Sequence, residues 1–152
     1  MRIINISSHP TTKFYPILDF VEPWCKYSSL GTLYIGDTIE EFSHGMTYRI
    51  NPKIDDLTLA APSLIELWVR KNQEYPVLSI GVCGEIRINN WEEEVVLVLG
   101  HELSHLDSNY GYPVHYTIDQ NEQAEYSAEV FAINMLEKYR ISTGQKKLRK
   151  VR

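Results

Sequence analysis

The sequence predicts an α+β fold in a single domain. Two observations carry this. Short β-rich runs dominate the first 88 residues, and two long helical stretches without proline, 91–106 and 121–139, follow them. The size agrees, since 152 residues that are 43% apolar suffice for one core, and 23% charged with 11% aromatic residues is the composition of a folded chain.

The elements read in order as follows. Residues 2–6 alternate weakly as a first strand, and 14–27 carry Pro16 and Pro23, so a helix there is short or broken. Leu33 to Ile35 and Met46 to Ile50 are short strands around an acidic connection. A helix is expected from Pro62, which suits a first turn, through Leu64, Ile65, Leu67, Trp68 and Val69, with Pro76 as its stop. Val77 to Val82 and Glu85 to Ile88 form a hairpin about Cys83-Gly84. Asn90 with Glu93 three residues on is a capping pair for the helix from Trp91 to Leu106, and Glu92, Glu93 and Glu94 stand where the helix dipole favours negative charge. A loop from Asp107 to Ile118 leads to the second helix, which Asp119 and Glu122 cap and whose apolar side is Ala124, Ala128, Phe131, Ala132, Met135 and Leu136.

No repeat, low-complexity segment or linker divides the chain, so residues 1–137 read as one domain and 138–152 as a basic C-terminal tail. All twenty acidic residues lie in 1–137 with eight basic ones, a net charge of −12, and the other seven basic residues lie in the tail. An acidic body has no attraction to phosphate, so a nucleic acid is not the expected partner. No apolar run reaches a membrane span's length and the N-terminus lacks a signal-peptide core, so no membrane partner and a cytoplasmic location are expected. Cys25 and Cys83 are expected as free thiols.

The chemistry lies in the helix from Trp91. His101-Glu102-Leu103-Ser104-His105 puts two imidazoles one turn apart on one face, close enough to share a Zn2+ at about 2.0–2.1 Å. Glu102, next to the first ligand, can border the metal without ligating it and take a proton from water. A chance occurrence of this pattern in a chain this long is expected in well under roughly one sequence in a hundred. A third ligand is required. The metzincin positions hold Ser108 and Gly111, which disfavours that class. His115, Asp107 and Asp119 are alternatives. On the second helix Glu122 is explained by capping, which leaves Glu125 as ligand and Glu129, one turn later, to accept a ring N–H from a ligating histidine.

The chain resembles the gluzincin metallopeptidases, the thermolysin-like zincins. His101-Glu102-Leu103-Ser104-His105 matches their zinc helix, and Glu125 with Glu129 matches their Glu-x-x-x-Asp pattern about twenty residues on. The string Glu125-Tyr126-Ser127-Ala128-Glu129-Val130-Phe131-Ala132, followed by Met135-Leu136, is similar to the ligand helix of the compact ImmA/IrrE-like regulatory peptidases. The resemblance covers roughly residues 77–137. It implies a zincin-like fold, a small twisted sheet packed on a zinc-binding active-site helix and a second ligand-bearing helix. It further implies zinc on His101, His105 and Glu125, peptide-bond hydrolysis with Glu102 as general base, and a protein or peptide substrate. Such families add a Tyr or His donor for the oxyanion, for which Tyr110, Tyr112, His115 and Tyr116 in the loop leaving the zinc helix are candidates, and Cys25, Cys83, His9 and His44 are candidates to block the open metal position in a latent form. The alternative is a catalytically silent zincin that binds a protein, or associates with nucleic acid through the basic tail.

Overall fold

The computed structural model describes residues 1–26, 31–49, 63–71, 74–109 and 118–145, with only the backbone of 48, 49, 63, 108, 109, 118–121, 144 and 145. It is an α+β fold. A mixed four-stranded sheet is built from β1 (Arg2–Asn5), β2 (Gly31–Thr38), β3 (His44–Arg49) and β4 (Ser63–Arg70) in the order β1-β2-β4-β3. β1, β2 and β4 are mutually parallel and β3 runs antiparallel at one edge. The parallel β1–β2 pair needs a crossover, and α1 (Tyr15–Val21) lies on it. Pro16 sits in the first turn of α1 and Pro23 in the 3-10 turn Glu22–Trp24 that ends it, so the two prolines bracket a seven-residue helix.

The stretch expected as a helix from Pro62 is instead the strand β4; Pro62 itself lies outside the described residues. Burial within β4 has a period of two: Ile65, Leu67 and Val69 are buried, and Leu64, Glu66 and Trp68 between them are half-buried. β4 lies between β2 and β3, and both of its faces are covered enough to accept apolar residues. That is why its sequence shows a nearly continuous apolar run, in which helical and strand periods cannot be told apart.

The other strands follow the expected places. β5 (Val77–Gly81) and β6 (Gly84–Ile88) pair antiparallel as a separate hairpin. The two long helices are α2 (Trp91–Asn109) and α3 (Ile118–Arg140), and a π-helical turn, Ile141–Gln145, continues α3. Asn90 caps α2 by accepting Glu93 N–H at 2.9 Å, while the Glu93 carboxylate reaches Asn89 N–H at 2.7 Å. The Asp119 side chain falls outside the described part, and Glu122 is exposed.

The core lies between one face of the sheet and the helices. Leu33 and Ile35 of β2 and Ile65, Leu67 and Val69 of β4 meet Val95, Val96, Leu99, Leu103 and Leu106 of α2. Ile17, Leu18 and Val21 of α1 and Met135 and Leu136 of α3 close the cluster. Each such side chain contributes about 1.5–3 kcal/mol by leaving water, so the interior part of α2 is held by packing more than by its own propensity. A buried polar contact also fixes its first turn to the sheet: Glu94 pairs with Arg70 of β4 at 3.2 Å and accepts the Ser43 hydroxyl.

Candidate metal centre

α2 and α3 run antiparallel against each other. Glu93 of α2 meets Arg140 of α3 at one end, with Arg140 Nε 2.6 Å from Glu93 Oε1. In the middle Gly100 faces Ala132, so closely that a Cβ on Gly100 would stand 3.3 Å from Ala132 Cα. Beyond that contact His101 and His105 project from α2 and Glu125 comes to them from α3. His101 Nε2 is 3.1 Å from Glu125 Oε2, His105 Nε2 is 2.9 Å from Glu125 Oε1, and the two Nε2 atoms are 3.1 Å apart.

These separations suit one ion. Donors of a tetrahedral zinc at about 2.05 Å stand roughly 3.3 Å from one another. One donor atom from each of the three residues lies within 4.8 Å of the others, and this trio is the metal-competent group of His, Cys, Asp and Glu side chains among the described residues. Two imidazoles and a carboxylate are a borderline-soft set that fits zinc. The side chain of Glu125 is 48% exposed and that of His105 only 12%, so the trio is open to solvent on the α3 side. Burial lowers the pKa of His105, and His101 adds to this, while the Glu125 carboxylate opposes it. The net effect favours the neutral ring, which is the ligating form.

Glu102 reaches the sheet and borders, with His101, the space between β3 and α2. It is 7% exposed, and Thr47 of β3 donates its hydroxyl toward Glu102 Oε2 at 2.6 Å, with the Glu102 carbonyl at 2.9 Å. The register explains how Thr47 gets there. Gly45 and Thr47 stand opposite Leu67 and Ile65 of β4, hence on the core face on which α2 packs. A Cβ on Gly45 would come within 2.7 Å of Glu102 Cγ. Burial raises the Glu102 pKa and Glu125 pushes the same way, whereas the Thr47 hydrogen bond, His101 and His44 hold it down.

The remaining expected residues divide. Glu129 makes no hydrogen bond to a histidine ring among the described residues; its Oε2 accepts Val82 N–H of the hairpin at 2.9 Å. Asp107 accepts Lys26 N–H at 2.9 Å, away from the donor trio. His115, Tyr110, Tyr112 and Tyr116 lie outside the described residues, as does the Asp119 side chain. Cys25 and Cys83 are free thiols. Cys25 is buried, its thiol directed to the Val21 carbonyl at 3.6 Å and pushed up to about 12 by burial, then by Asp107 and Glu22. His9 packs on Trp91, at the far end of α2, with ring centroids 5.1 Å apart. His44 alone of the four latency candidates joins His101 and Glu102 around a cavity of about 310 Å³ between β3 and the hairpin.

Thr47, Gly45 and the hairpin contact of Glu129 had no signature in the sequence, because each depends on strand register or on how the hairpin docks. No helix among the described residues is long and apolar enough to cross a membrane. No family model, curated protein or solved structure matches the chain.

Proposed function

We propose that the chain is a zinc-dependent peptidase of the gluzincin kind, compact and ImmA/IrrE-like, acting on a protein or peptide substrate. The observation that carries this is the convergence of His101 Nε2, His105 Nε2 and the Glu125 carboxylate to within 2.9–3.1 Å, with the buried carboxylate of Glu102 on the next residue. His101 and His105 from α2 and Glu125 from α3 would hold a zinc ion, which would supply Lewis acidity to the scissile carbonyl and to water. Glu102, oriented by Thr47, accepts the proton of the attacking water and passes it to the leaving amine as the C–N bond breaks. A substrate track fits the same reading: β3 pairs only with β4 among the described strands, and an edge strand can add an extended peptide by backbone hydrogen bonds.

Zinc content and cleavage of an unfolded protein, each measured before and after chelation, test the reading. The expected result is about one zinc per chain and chelator-sensitive hydrolysis. Glu102→Gln should keep the metal and lose activity by about a hundredfold or more, whereas Glu125→Ala should lose most of the metal. A protein that takes up no zinc from an excess, or a Glu102→Gln protein with unaltered turnover, would overturn it.

A further inference from the structure

The cavity beside the metal donors has walls of two kinds. Ile86, Leu97, Val98 and Ala132 give it an apolar side, and His44, Ser79, His101, Glu102 and the half-buried carboxylate of Glu129 give it a polar one. Glu129 sits on α3 one turn beyond Glu125, and the hairpin fixes it. Its Oε2 accepts Val82 N–H at 2.9 Å, and its Oε1 lies over Gly81, where any Cβ would collide with it. The strand is bare at the one point where the carboxylate must rest. Among the described residues no Lys or Arg pairs with Glu129.

A carboxylate beside an apolar wall discriminates between guests. An apolar side chain entering the cavity would strip water from Glu129 and give it no partner, and an acidic one would meet like charge from Glu129 and Glu102. A Lys or Arg side chain satisfies both surfaces: its aliphatic stem lies along Ile86, Leu97 and Val98, and its cation reaches Glu129 Oε1. At about 310 Å³ the cavity has room for one long side chain and little more. His101 and Glu102 line the same space, so its occupant neighbours the bond to be cleaved.

We infer that Glu129 and this cavity form a specificity pocket that selects a Lys or Arg side chain of the substrate beside the scissile bond. The inference rests on the peptidase reading above for its substrate class.

The test uses the zinc-loaded full chain and peptides identical except at one position flanking the scissile bond, mapped first by mass spectrometry of a cleaved unfolded protein. Arg is compared with citrulline, its neutral isostere, and Lys with norleucine. The wild type should favour the cationic member of each pair by about 10- to 100-fold in kcat/KM, the worth of one charge-assisted hydrogen bond. Glu129→Gln retains an amide oxygen for Val82 N–H and should bind zinc as the wild type does, yet bring Arg and citrulline to within about threefold of each other. Equal handling of the two by the wild type, or a preference that survives Glu129→Gln, overturns the pocket. Should the wild type cleave nothing, fluorescently labelled peptides of one arbitrary sequence, differing only in Arg or citrulline at the central position, are titrated onto zinc-loaded Glu102→Gln protein by fluorescence anisotropy. Arg bound over citrulline then sustains the pocket while the peptidase reading falls, and equal or absent binding overturns the pocket itself.

Discussion

Thr47 aims its one hydroxyl proton at Glu102, 2.6 Å from the carboxylate and 2.9 Å from the carbonyl of the same residue. In the proposed peptidase a carboxylate that accepts and returns a proton would lose rate if it swung between rotamers, so this contact would serve there to position it. Thr47→Val keeps the shape and removes the donor. A hydrogen bond to a charged group is worth about 1.5–3 kcal/mol, so kcat/KM should fall by roughly 10- to 100-fold with zinc content unchanged, and Thr47→Ser should restore most of it. Peptide hydrolysis with parallel metal analysis checks this, and an active Thr47→Val enzyme would mean that packing in α2 alone orients Glu102. Which residues of the site were legible in the sequence follows the same division. His101, Glu102 and His105 stand within one turn and a half of a single helix, so their mutual geometry is set by the helical repeat. On the second helix the sequence leaves Glu125 and Glu129 as carboxylates one turn apart, and the family resemblance divides them into ligand and orienter. Thr47 is 55 residues from Glu102 and meets it only through the β3–β4 register, for which the sequence carries no local mark.

At the scale of elements, the site depends on how closely α3 can approach α2. Gly100 and Ala132 form the contact point, and the candidate metal donors sit just beyond it on both helices. A Cβ at position 100 already falls 3.3 Å from Ala132 Cα, so alanine is accommodated by a shift of a few tenths of an ångström, against its better helix propensity. Leucine is not. Gly100→Leu should wedge the helices apart, cost about 1–3 kcal/mol of stability as an overpacked core substitution does, and weaken zinc binding, because Glu125 rides on α3 while both histidines ride on α2. Urea unfolding and zinc titration read the two effects separately; full affinity in a destabilised Gly100→Leu protein would show that the donors reach one another despite the wedge. The elements themselves were legible where caps and breakers mark them: Asn90 before α2, and Pro16 and Pro23 around α1. They were illegible at β4, where the apolar Leu64 and Trp68 on its half-buried face hide the alternation that marks a strand, leaving Glu66 as the sole polar interruption between Leu64 and Val69.

Over the whole molecule, the division into an acidic body and a basic terminal segment has a structural expression. The first basic residues of that segment belong to the last turn of α3, where cations complement the helix dipole. Lys138 lies over the Trp24 ring at 3.7 Å, and Arg140 reaches the Glu93 carboxylate in the first turn of α2 as well as the Arg87 carbonyl of the hairpin. One arginine thus joins both long helices and β6 at the end opposite the metal donors. Glu93 is buried, and burial alone would raise its pKa, but hydrogen bonds from Arg140 and from Asn89 N–H outweigh this and hold it below the ordinary value of 4.5. A carboxylate with a depressed folded pKa contributes stability above its unfolded value and loses it as pH falls through the folded one. Glu93→Gln should therefore cost about 1–2 kcal/mol at pH 7, a figure already reduced for the partly exposed arginine, and the gap between the two proteins should hold down to about pH 5 and then close below it. Comparing the pair at each pH by urea unfolding cancels the other titrations, including those of the metal donors, since both proteins share them. A gap of constant size from pH 7 to pH 3 would assign the stabilisation to the shape of the Glu93 side chain, and a gap absent at pH 7 would leave Arg140 with no part in holding the helices together.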